Sequence, residues 1–151
     1  MRALLQRVSS AALTANGEDR GSIGPGLVVL LGVTHADTPG TASDLAGRTV
    51  HLRIFEDENG RMNRSLLDCG GELLLVPQFT LYAACRQGRR PSFQAAATPA
   101  LAGPLFDEFV HCCTEATSAR VRTGIFGANM QVELINDGPV TILLDSADRS
   151  G

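Results

Sequence analysis

Two residues of this sequence carry nucleophilic side chains in segments that could do hydrolytic chemistry, but neither has an obvious partner. Cys85 lies in an arginine-rich segment that favours a reactive thiolate, yet a cysteine hydrolase also needs an oriented histidine. No histidine adjoins it along the chain. Thr80 is the second candidate, and the sequence supplies no base for its hydroxyl. A thiol-dependent hydrolase therefore stays a rival hypothesis.

Other catalytic and ligand-binding patterns are missing from the sequence. It contains no GxSxG elbow, no P-loop, no Rossmann glycine pattern and no paired-carboxylate motif. His35, His51 and His111 have no metal-ligand spacing, so we expect no metal and no cofactor. A hydrolase built from this chain would work through backbone donors and through groups of the substrate itself.

Three arginines lie close together in the segment "RQGRR". Arg86, Arg89 and Arg90 surround a glycine, which makes the segment a candidate phosphate-contacting loop. A solvated surface loop is the alternative, because runs of charge usually face water. The segment "FGANM", residues 126–130, places a glycine and small residues before a strand and by itself indicates a bend beside the core.

The segment "INDGPVTILLD" contains a turn signal followed by a proline. Asn-Asp-Gly between two alternating apolar runs predicts a hairpin turn. Pro139 removes a backbone donor where the second strand would begin to pair. Gly138–Pro139 is also one of the few peptide bonds here that could be cis.

The elements that must position these residues follow from hydrophobic periodicity and turn signals. The sequence predicts strands at residues 2–14, 18–22, 27–33, 53–55, 62–66, 72–82, 120–123, 130–135 and 140–144. Pro77 interrupts the strand at 72–82 and implies an edge, a bulge or a strand end. Helices are predicted at residues 39–52 and 99–118, capped by Thr38 and Thr98. We therefore expect an α/β (α+β) fold with a small, barrel-like, mostly antiparallel sheet and two packed helices.

Composition limits the class of protein. The chain has 151 residues, 44% hydrophobic and 19% charged, which fits one globular domain spanning residues 1–151. The net charge of −3 does not by itself indicate a nucleic-acid binder. The N-terminal segment does not resemble a signal peptide, no apolar run is long enough to span a membrane, and the four cysteines lack zinc spacing. We expect a reduced, cytoplasmic protein.

Four motifs, taken together, resemble those of the D-aminoacyl-tRNA deacylases. They are "PQFTLYA" (residues 77–83), "RRPSF" (89–93), "FGANM" (126–130) and "NDGPVT" (136–141), in the order and approximate spacing of that family. The resemblance extends over essentially the whole chain. The sequence is therefore identified as a member of the family, whose enzymes hydrolyse the ester joining a D-amino acid, or glycine, to the 3′-terminal adenosine of tRNA.

The resemblance also implies an assembly and a site. Family members are homodimers whose active sites lie at the interface and need no cofactor. By this resemblance Gln78, Phe79 and Thr80 of one subunit would bind and activate the ester. Gly138 and Pro139 of the other subunit, joined by a cis peptide, would bind the α-amino group and exclude L side chains.

The remaining candidate residues receive roles from the same resemblance. Phe126, Gly127, Ala128 and Met130 would form the pocket for the terminal adenosine. The three arginines of residues 86–90 become candidates for tRNA phosphate contacts. The expected partners are thus tRNA and a second copy of the chain, with no membrane.

Two questions stay open at this point. The family motif usually begins with serine where this sequence has Pro77, which leaves the strictness of L exclusion undecided. Thr80 either positions substrate or water, which we favour, or acts as the nucleophile. A non-catalytic dimeric barrel that binds tRNA ends or nucleotides is the alternative function.

Overall fold

The computed structural model describes residues 1–86 and 88–148. Its strands are β1 (Arg2–Ala15), β2 (Glu18–Ile23), β3 (Gly26–Gly32), β4 (Phe55–Glu56), β5 (Met62–Arg64), β6 (Glu72–Pro77), β7 (Val121–Thr123) and β8 (Met130–Asp145). Its helices are α1 (Pro39–His51), α2 (Leu66–Cys69), α3 (Pro99–Ala116) and a single 3₁₀ turn (Phe79–Tyr82). The strand and helix types follow the sequence predictions closely along most of the chain.

The long strand β1 organises the sheet. Its first half, residues 2–8, pairs antiparallel with β3, and its second half, residues 11–15, pairs antiparallel with β2. β8 runs antiparallel along the opposite edge of β1 over its whole length. Asn16 and Gly17, both with positive φ, close the turn between β1 and β2.

The sheet curls into a nearly closed barrel with the order β2-β1-β3-β6-β7 and with β8 on the free edge of β1. The β3–β6 and β6–β7 pairs are parallel, and the pairs made by β1 are antiparallel. This mixed sheet with two main helices confirms the predicted fold class.

Two apolar clusters lie on opposite faces of β3 and β6. Leu31 and Leu75 face one cluster, which packs beneath α1 and α3. Val28 and Val76 face the other, which fills the barrel together with Leu13. Both strands are buried on both faces, as is usual for parallel strands.

The two main helices begin where the sequence predicts, with Thr38 and Thr98 as their N-cap residues. Thr38 forms a reciprocal capping box with Thr41 at the start of α1. Thr98 is the N-cap residue of α3, although its side chain makes no capping hydrogen bond. Pro99 suffices to start α3, because a residue at the first helical position has no helical partner for its N–H and proline therefore loses no hydrogen bond there.

The strand predicted at residues 62–66 ends at Arg64, and Leu66 begins a short helix, α2, that was not predicted. Ser65 caps α2, and its hydroxyl and N–H both bond to Asp68. These hydrogen bonds lower the pKa of Asp68 below its usual value. The Ser-x-x-Asp spacing was the signal that could have identified this helix.

Residues 72–82 are not one interrupted strand. β6 ends at Pro77, and the chain then folds into the 3₁₀ turn. The prediction of a strand end at Pro77 was therefore correct, and the continuation of the strand to residue 82 was wrong.

The hairpin predicted at residues 136–139 is absent. β8 is a single strand, and both of its halves pair in the same direction along β1, from Ala15 opposite Met130 to Arg2 opposite Asp145. Between Asn136 and Thr141 the chain bulges outward while β1 advances only from Val8 to Gln6. Among the described residues, no helix is long and apolar enough to cross a membrane.

Candidate active site

A cleft of about 550 Å³ opens where the parallel strands β3 and β6 end. One wall consists of residues 76–79, the second of Phe93 and residues at the start of α3, and the third of residues in the 126–132 segment. Ligands of proteins with parallel strands bind outside the carboxyl ends of those strands. The cleft is thus a candidate ligand site in both shape and position.

Pro77 and Gly32 determine where the wall with Gln78 lies. Pro77 has no N–H to offer β7, so the parallel ladder stops, and the N–H of Gln78 donates to the Leu31 carbonyl at 2.7 Å. The 3₁₀ turn then crosses directly over Gly32. A Cβ at Gly32 would lie 3.0 Å from Leu81 Cβ and 3.1 Å from the Gln78 carbonyl oxygen. Glycine is therefore the residue that allows this close approach.

The start of the 3₁₀ turn presents a cluster of hydrogen-bond donors. The N–H groups of Phe79 and Thr80 have no acceptor among the described residues. The side-chain amide of Gln78 donates to Thr80 Oγ1, which ties the two side chains together. Such convergent N–H groups can bind a carbonyl oxygen and the negative charge that develops on it.

Thr80 lies at the rim of the cleft rather than in its wall. Its side chain is exposed, and its hydroxyl oxygen accepts a hydrogen bond from Gln78. Among the described residues no carboxylate, imidazole or amine bonds to that hydroxyl. The geometry matches a positioning group and offers no base to a threonine nucleophile.

Aromatic side chains flank the mouth of the cleft. The rings of Phe79 and Phe93 meet edge to face with centroids 5.0 Å apart. Phe79 keeps 53% of its surface exposed and Phe93 keeps 36%. Phe93 was not among the predicted site residues, although it ends the "RRPSF" motif that contributed to the resemblance.

The predicted adenosine-pocket residues line the facing wall. Phe126, Gly127, Ala128 and Met130 all border the cleft opposite Gln78. Gly124 sits behind them, where an added Cβ would lie 2.7 Å from the sulfur of Met130. The structure thus brings these four residues together with Gln78 and Phe79, which the sequence separates by about fifty positions.

Gly138 and Pro139 do not line this cleft in the same chain. They form the exposed tip of the bulge in β8, and the peptide bond between them is cis. Gly138 has φ of 146°, and a Cβ there would lie 2.7 Å from Val140 Cγ2. Only glycine fits this backbone conformation without displacing Val140.

Arg7 supports the bulge from below, and it was not among the predicted site residues. Its guanidinium is buried and donates to the carbonyl oxygens of Asp137 at 2.9 Å and Ile54 at 2.7 Å. Its remaining nitrogen lies 3.8 Å from Glu56. The partners of Arg7 are mostly backbone atoms far away in sequence, so no local motif could have identified it.

The arginine segment lies beyond the cleft on the surface. Arg86, Arg89 and Arg90 are exposed, and none of them forms an ion pair within the described part of the chain. Cys85 is exposed next to them and makes no hydrogen bond to a histidine in residues 1–86 and 88–148. Arg86, Arg89 and Arg90 are thus accessible to a polyanion, and no base contacts the Cys85 thiol through a hydrogen bond among the residues that the structure describes.

Within the described ranges, the other titratable groups form no second cluster that could be catalytic. Burial raises the pKa of the Cys113 thiol to about 12, and the neighbouring Cys112 adds to the effect. Cys113 is therefore an inert core residue. In the described part of the chain, no three His, Cys, Asp or Glu side chains group closely enough to hold a metal ion.

Comparison with known proteins identifies the family. A model of the D-Tyr-tRNA(Tyr) deacylase family matches residues 4–145. The D-aminoacyl-tRNA deacylase of Thermus aquaticus is 54% identical over 151 residues, covering 100% of this chain and 99% of that protein. The D-aminoacyl-tRNA deacylase of Thermomicrobium roseum is 58% identical, covering 100% and 97%.

A solved structure shares the fold and more than a third of the sequence. The c-Myc DNA Unwinding Element Binding Protein superposes with a TM-score of 0.90 at 37% identity, covering 96% of this chain and 98% of that one. The family match and the near-complete coverage of the relatives agree with each other. The chain belongs to the D-Tyr-tRNA(Tyr) deacylase family.

Proposed function

We propose that this protein hydrolyses the ester between a D-amino acid and the 3′-terminal adenosine of tRNA, releasing free tRNA and the amino acid. The observation that carries the proposal is the donor cluster at the start of the 3₁₀ turn. Gln78 and the N–H groups of Phe79 and Thr80 meet beside an aromatic cleft that has no nucleophile–base pair among its described residues. Family membership adds the identity of the ester.

The donors supply the chemistry in this mechanism. The carbonyl oxygen of the ester accepts from the N–H groups of Phe79 and Thr80, which stabilise the charge that forms when water attacks the carbonyl carbon. A carbon–oxygen bond forms with water, the bond to the ribose 3′-oxygen breaks, and a water proton ends on that oxygen. The neighbouring 2′-hydroxyl of the substrate helps to move this proton. Thr80 positions the reacting groups.

The remaining cleft residues would bind the end of the tRNA. Phe126, Gly127, Ala128 and Met130 would enclose the terminal adenosine, since apolar and aromatic walls suit a nucleobase. The exposed arginines of residues 86–90 would contact phosphates further along the strand. A tRNA substrate also implies that the protein acts in the cytoplasm.

A second copy of the chain completes the proposed site. β1 and β3 lie between β8 and β6, so three strand spacings, about 14 Å, separate the Gly138 bulge from Gln78 across the sheet. The bulge lies opposite Arg7 of β1. Gln78 lies beside Leu31, the residue of β3 that pairs with Ala3 of β1. The separation between these two levels of β1 adds roughly 13 to 16 Å along the strands. Gly138 and Pro139 do not line the cleft of their own chain, which supports the proposal that they reach it from another subunit.

The bulge would select chirality by exclusion. Its backbone carbonyls would bind the α-amino group of the substrate, and the rigid glycine–proline tip would leave no space for an L side chain. Glycine has no side chain and would be accepted along with D-amino acids, including glycine mischarged on tRNA(Ala). Pro77, where relatives of this type usually carry serine, makes the strictness of L exclusion the property to measure.

The reaction is tested with D-tyrosyl-, L-tyrosyl- and glycyl-tRNA in parallel at low enzyme concentration. We expect rapid loss of the D and glycyl esters while the L ester persists. Loss of all three esters would support the hydrolase activity and refute the exclusion of L substrates. No loss of any ester, with tRNA still bound, would overturn the proposal in favour of a non-catalytic nucleic-acid-binding barrel, a function closer to the name of the c-Myc DNA Unwinding Element Binding Protein.

Complementation between two inactive variants tests the shared site. Gln78→Ala and Gly138→Ala damage opposite halves of each site, so a mixed dimer contains one doubly damaged site and one intact site. Random mixing should restore about one quarter of the activity, since half of the dimers are mixed and each has one good site. Each variant alone is the control. No recovery in demonstrated mixed dimers would place both halves in one chain.

The thiol mechanism is separated by one substitution. Cys85→Ala removes the exposed thiol and leaves the donor cluster intact. Full activity of this variant eliminates Cys85 as the nucleophile. Loss of activity without loss of folding would overturn the backbone-donor mechanism.

A further inference from the structure

Arg2 makes three contacts that meet at the far end of the 3₁₀ turn. Its Nη1 donates to the carbonyl oxygen of Leu81 at 2.9 Å, and its Nε donates to Asp145 Oδ2 at 2.8 Å. Its guanidinium carbon lies 4.6 Å from the centroid of the Tyr82 ring. One side chain from β1 thus joins the last two residues of the turn to the end of β8.

Asp145 holds this guanidinium in a fixed orientation. Its second carboxylate oxygen accepts from the Ala147 N–H at 2.9 Å, and its carbonyl accepts from Arg48 at 3.1 Å. Partial burial alone would raise the pKa of Asp145, but the Ala147 N–H and the Arg2 guanidinium together lower it. The carboxylate is therefore charged at neutral pH and remains a firm partner for Arg2.

The turn has few restraints of its own. Four residues of 3₁₀ helix are too short to be stable alone. The Gln78 N–H is held by Leu31, but the hydrogen bond from Leu81 N–H back to the Gln78 carbonyl is 3.4 Å long. Gly32 has no side chain, so the turn packs directly against the backbone of β3. At its outer end the Ala83 N–H donates to the Thr80 carbonyl at 3.0 Å, and Arg2 adds a side-chain hydrogen bond to the Leu81 carbonyl.

We propose that Arg2 is a positioning residue that fixes the 3₁₀ turn and thereby aims the N–H groups of Phe79 and Thr80. This inference rests on the proposed role of those groups in ester hydrolysis. Arg2 does not line the cleft, so it acts only through the turn. Its planar guanidinium donates to a carbonyl and a carboxylate in different directions while stacking on Tyr82, which a lysine ammonium cannot reproduce.

The test compares Arg2→Gln and Arg2→Lys with Arg48→Gln. Arg48 also bonds to Asp145 and makes no hydrogen bond to the turn within residues 1–86 and 88–148, so it controls for general loosening of the end of β8. Three quantities are measured for each protein: kcat and KM for D-tyrosyl-tRNA, the amide ¹H–¹⁵N chemical shifts of Phe79 and Thr80, and the Tm. Arg2 is partly exposed, so both substitutions should be compatible with folding.

We expect Arg2→Gln to lower kcat about 10-fold or more with KM within about 2-fold, since small displacements of catalytic donors are costly. The amide shifts of Phe79 and Thr80 should change with it. Arg2→Lys should not restore kcat, although it keeps the charge. Arg48→Gln should retain wild-type kcat and wild-type amide shifts, even with a lowered Tm.

Two results would overturn the inference. One is a wild-type kcat and unchanged Phe79 and Thr80 shifts in Arg2→Gln. The other is a loss of kcat in Arg48→Gln as large as that in Arg2→Gln when the two variants lose the same Tm. Arg2 would then act only through general stability. If the wild-type protein failed to cleave the ester, the proposed function would fall, and the amide shifts would still decide whether Arg2 holds the turn.

Discussion

At the scale of single residues, the proposed chemistry depends on donors that carry no net charge. Backbone N–H groups and the Gln78 amide keep their protons across the physiological pH range, so the site needs no tuned acid or base. Their effect depends on the direction in which the N–H groups point rather than on their protonation state. The residues that orient Gln78 and the following N–H groups therefore matter as much as the donors themselves.

Removing the side chain of Gln78 tests this dependence. Gln78→Ala loses a donor at the cleft wall and releases the Thr80 hydroxyl. We expect kcat/KM for D-tyrosyl-tRNA to fall about 100-fold, the usual effect of losing one such donor, with no change in Tm. Glu115→Ala, at an exposed position of α3 away from the cleft, is the control. A Gln78→Ala enzyme with wild-type kcat/KM would exclude this side chain from the mechanism.

The residue scale also shows what sequence patterns can and cannot reveal. Gln78 and Phe126 were identifiable because they lie in motifs specific to a family. Arg7 and Arg2 were not, because each arginine binds carbonyl oxygens of residues 47 to 130 positions away. Any residue exposes a carbonyl, so the sequence contains no trace of such a partner.

At the scale of elements, the turn depends on the strand beneath it. In Gly32→Ala the new Cβ would crowd Leu81 and Gln78 and push the 3₁₀ turn outward by a few tenths of an ångström. We expect kcat to fall about 10-fold while the protein remains folded. Gly47→Ala, in open space on α1, is the matched control and should keep full activity. Unchanged kcat in Gly32→Ala would show that the turn tolerates displacement.

Helix α3 contains a proline that should reduce its stability. Pro104 is exposed inside the helix and cannot donate the hydrogen bond that a residue at this position normally makes. Pro104→Ala should therefore raise the free energy of unfolding by up to about 3 kcal/mol, and each kcal/mol gained should raise the Tm by about 2 to 4 °C. The Tm values of the wild-type protein and the variants are compared at equal protein concentrations. Pro99→Ala, in the first turn, should bring no such gain, and a lowered Tm in Pro104→Ala would refute the argument.

The elements also explain why the hairpin prediction at residues 136–139 was wrong. Asn-Asp-Gly favours a reversal when the two flanking runs pair with each other. Here the fourteen residues of β1 offer a longer partner, and both runs pair with it instead. Local turn propensity was therefore overruled by a strand more than a hundred positions away, and the turn residues became a bulge.

At the scale of the whole molecule, the outer face of β8 is the best candidate for the dimer interface. Ile135 and Leu143 are 63% and 51% exposed and lie on the strand that carries the Gly138 bulge. An interface between copies would bury these side chains and bring the bulge of each chain toward the cleft of the other. A sequence can show that these positions are apolar, but their exposure is known only once β1 has fixed the register.

Ile135→Glu tests this interface. Burying an unpaired carboxylate at the contact should favour the monomer, which sedimentation velocity would detect. Activity should disappear with the dimer, because each proposed site needs two chains. Met62→Glu changes an equally exposed residue on the separate β4–β5 hairpin and should leave both properties intact. An active Ile135→Glu monomer would contradict the shared site.

The position of β8 has a consequence for how the protein survives before assembly. Among the described residues β8 pairs only with β1, so its other edge offers unpaired backbone groups on both sides of the bulge, where the side chains of Arg7 and Asn136 bond to the backbone. Long exposed edges invite aggregation, and a bulge with a proline divides such an edge into short stretches. The Asp137–Pro139 tip would thus act as a gatekeeper in the newly made monomer. The residues proposed to judge the handedness of a substrate would also protect each chain from pairing wrongly with another.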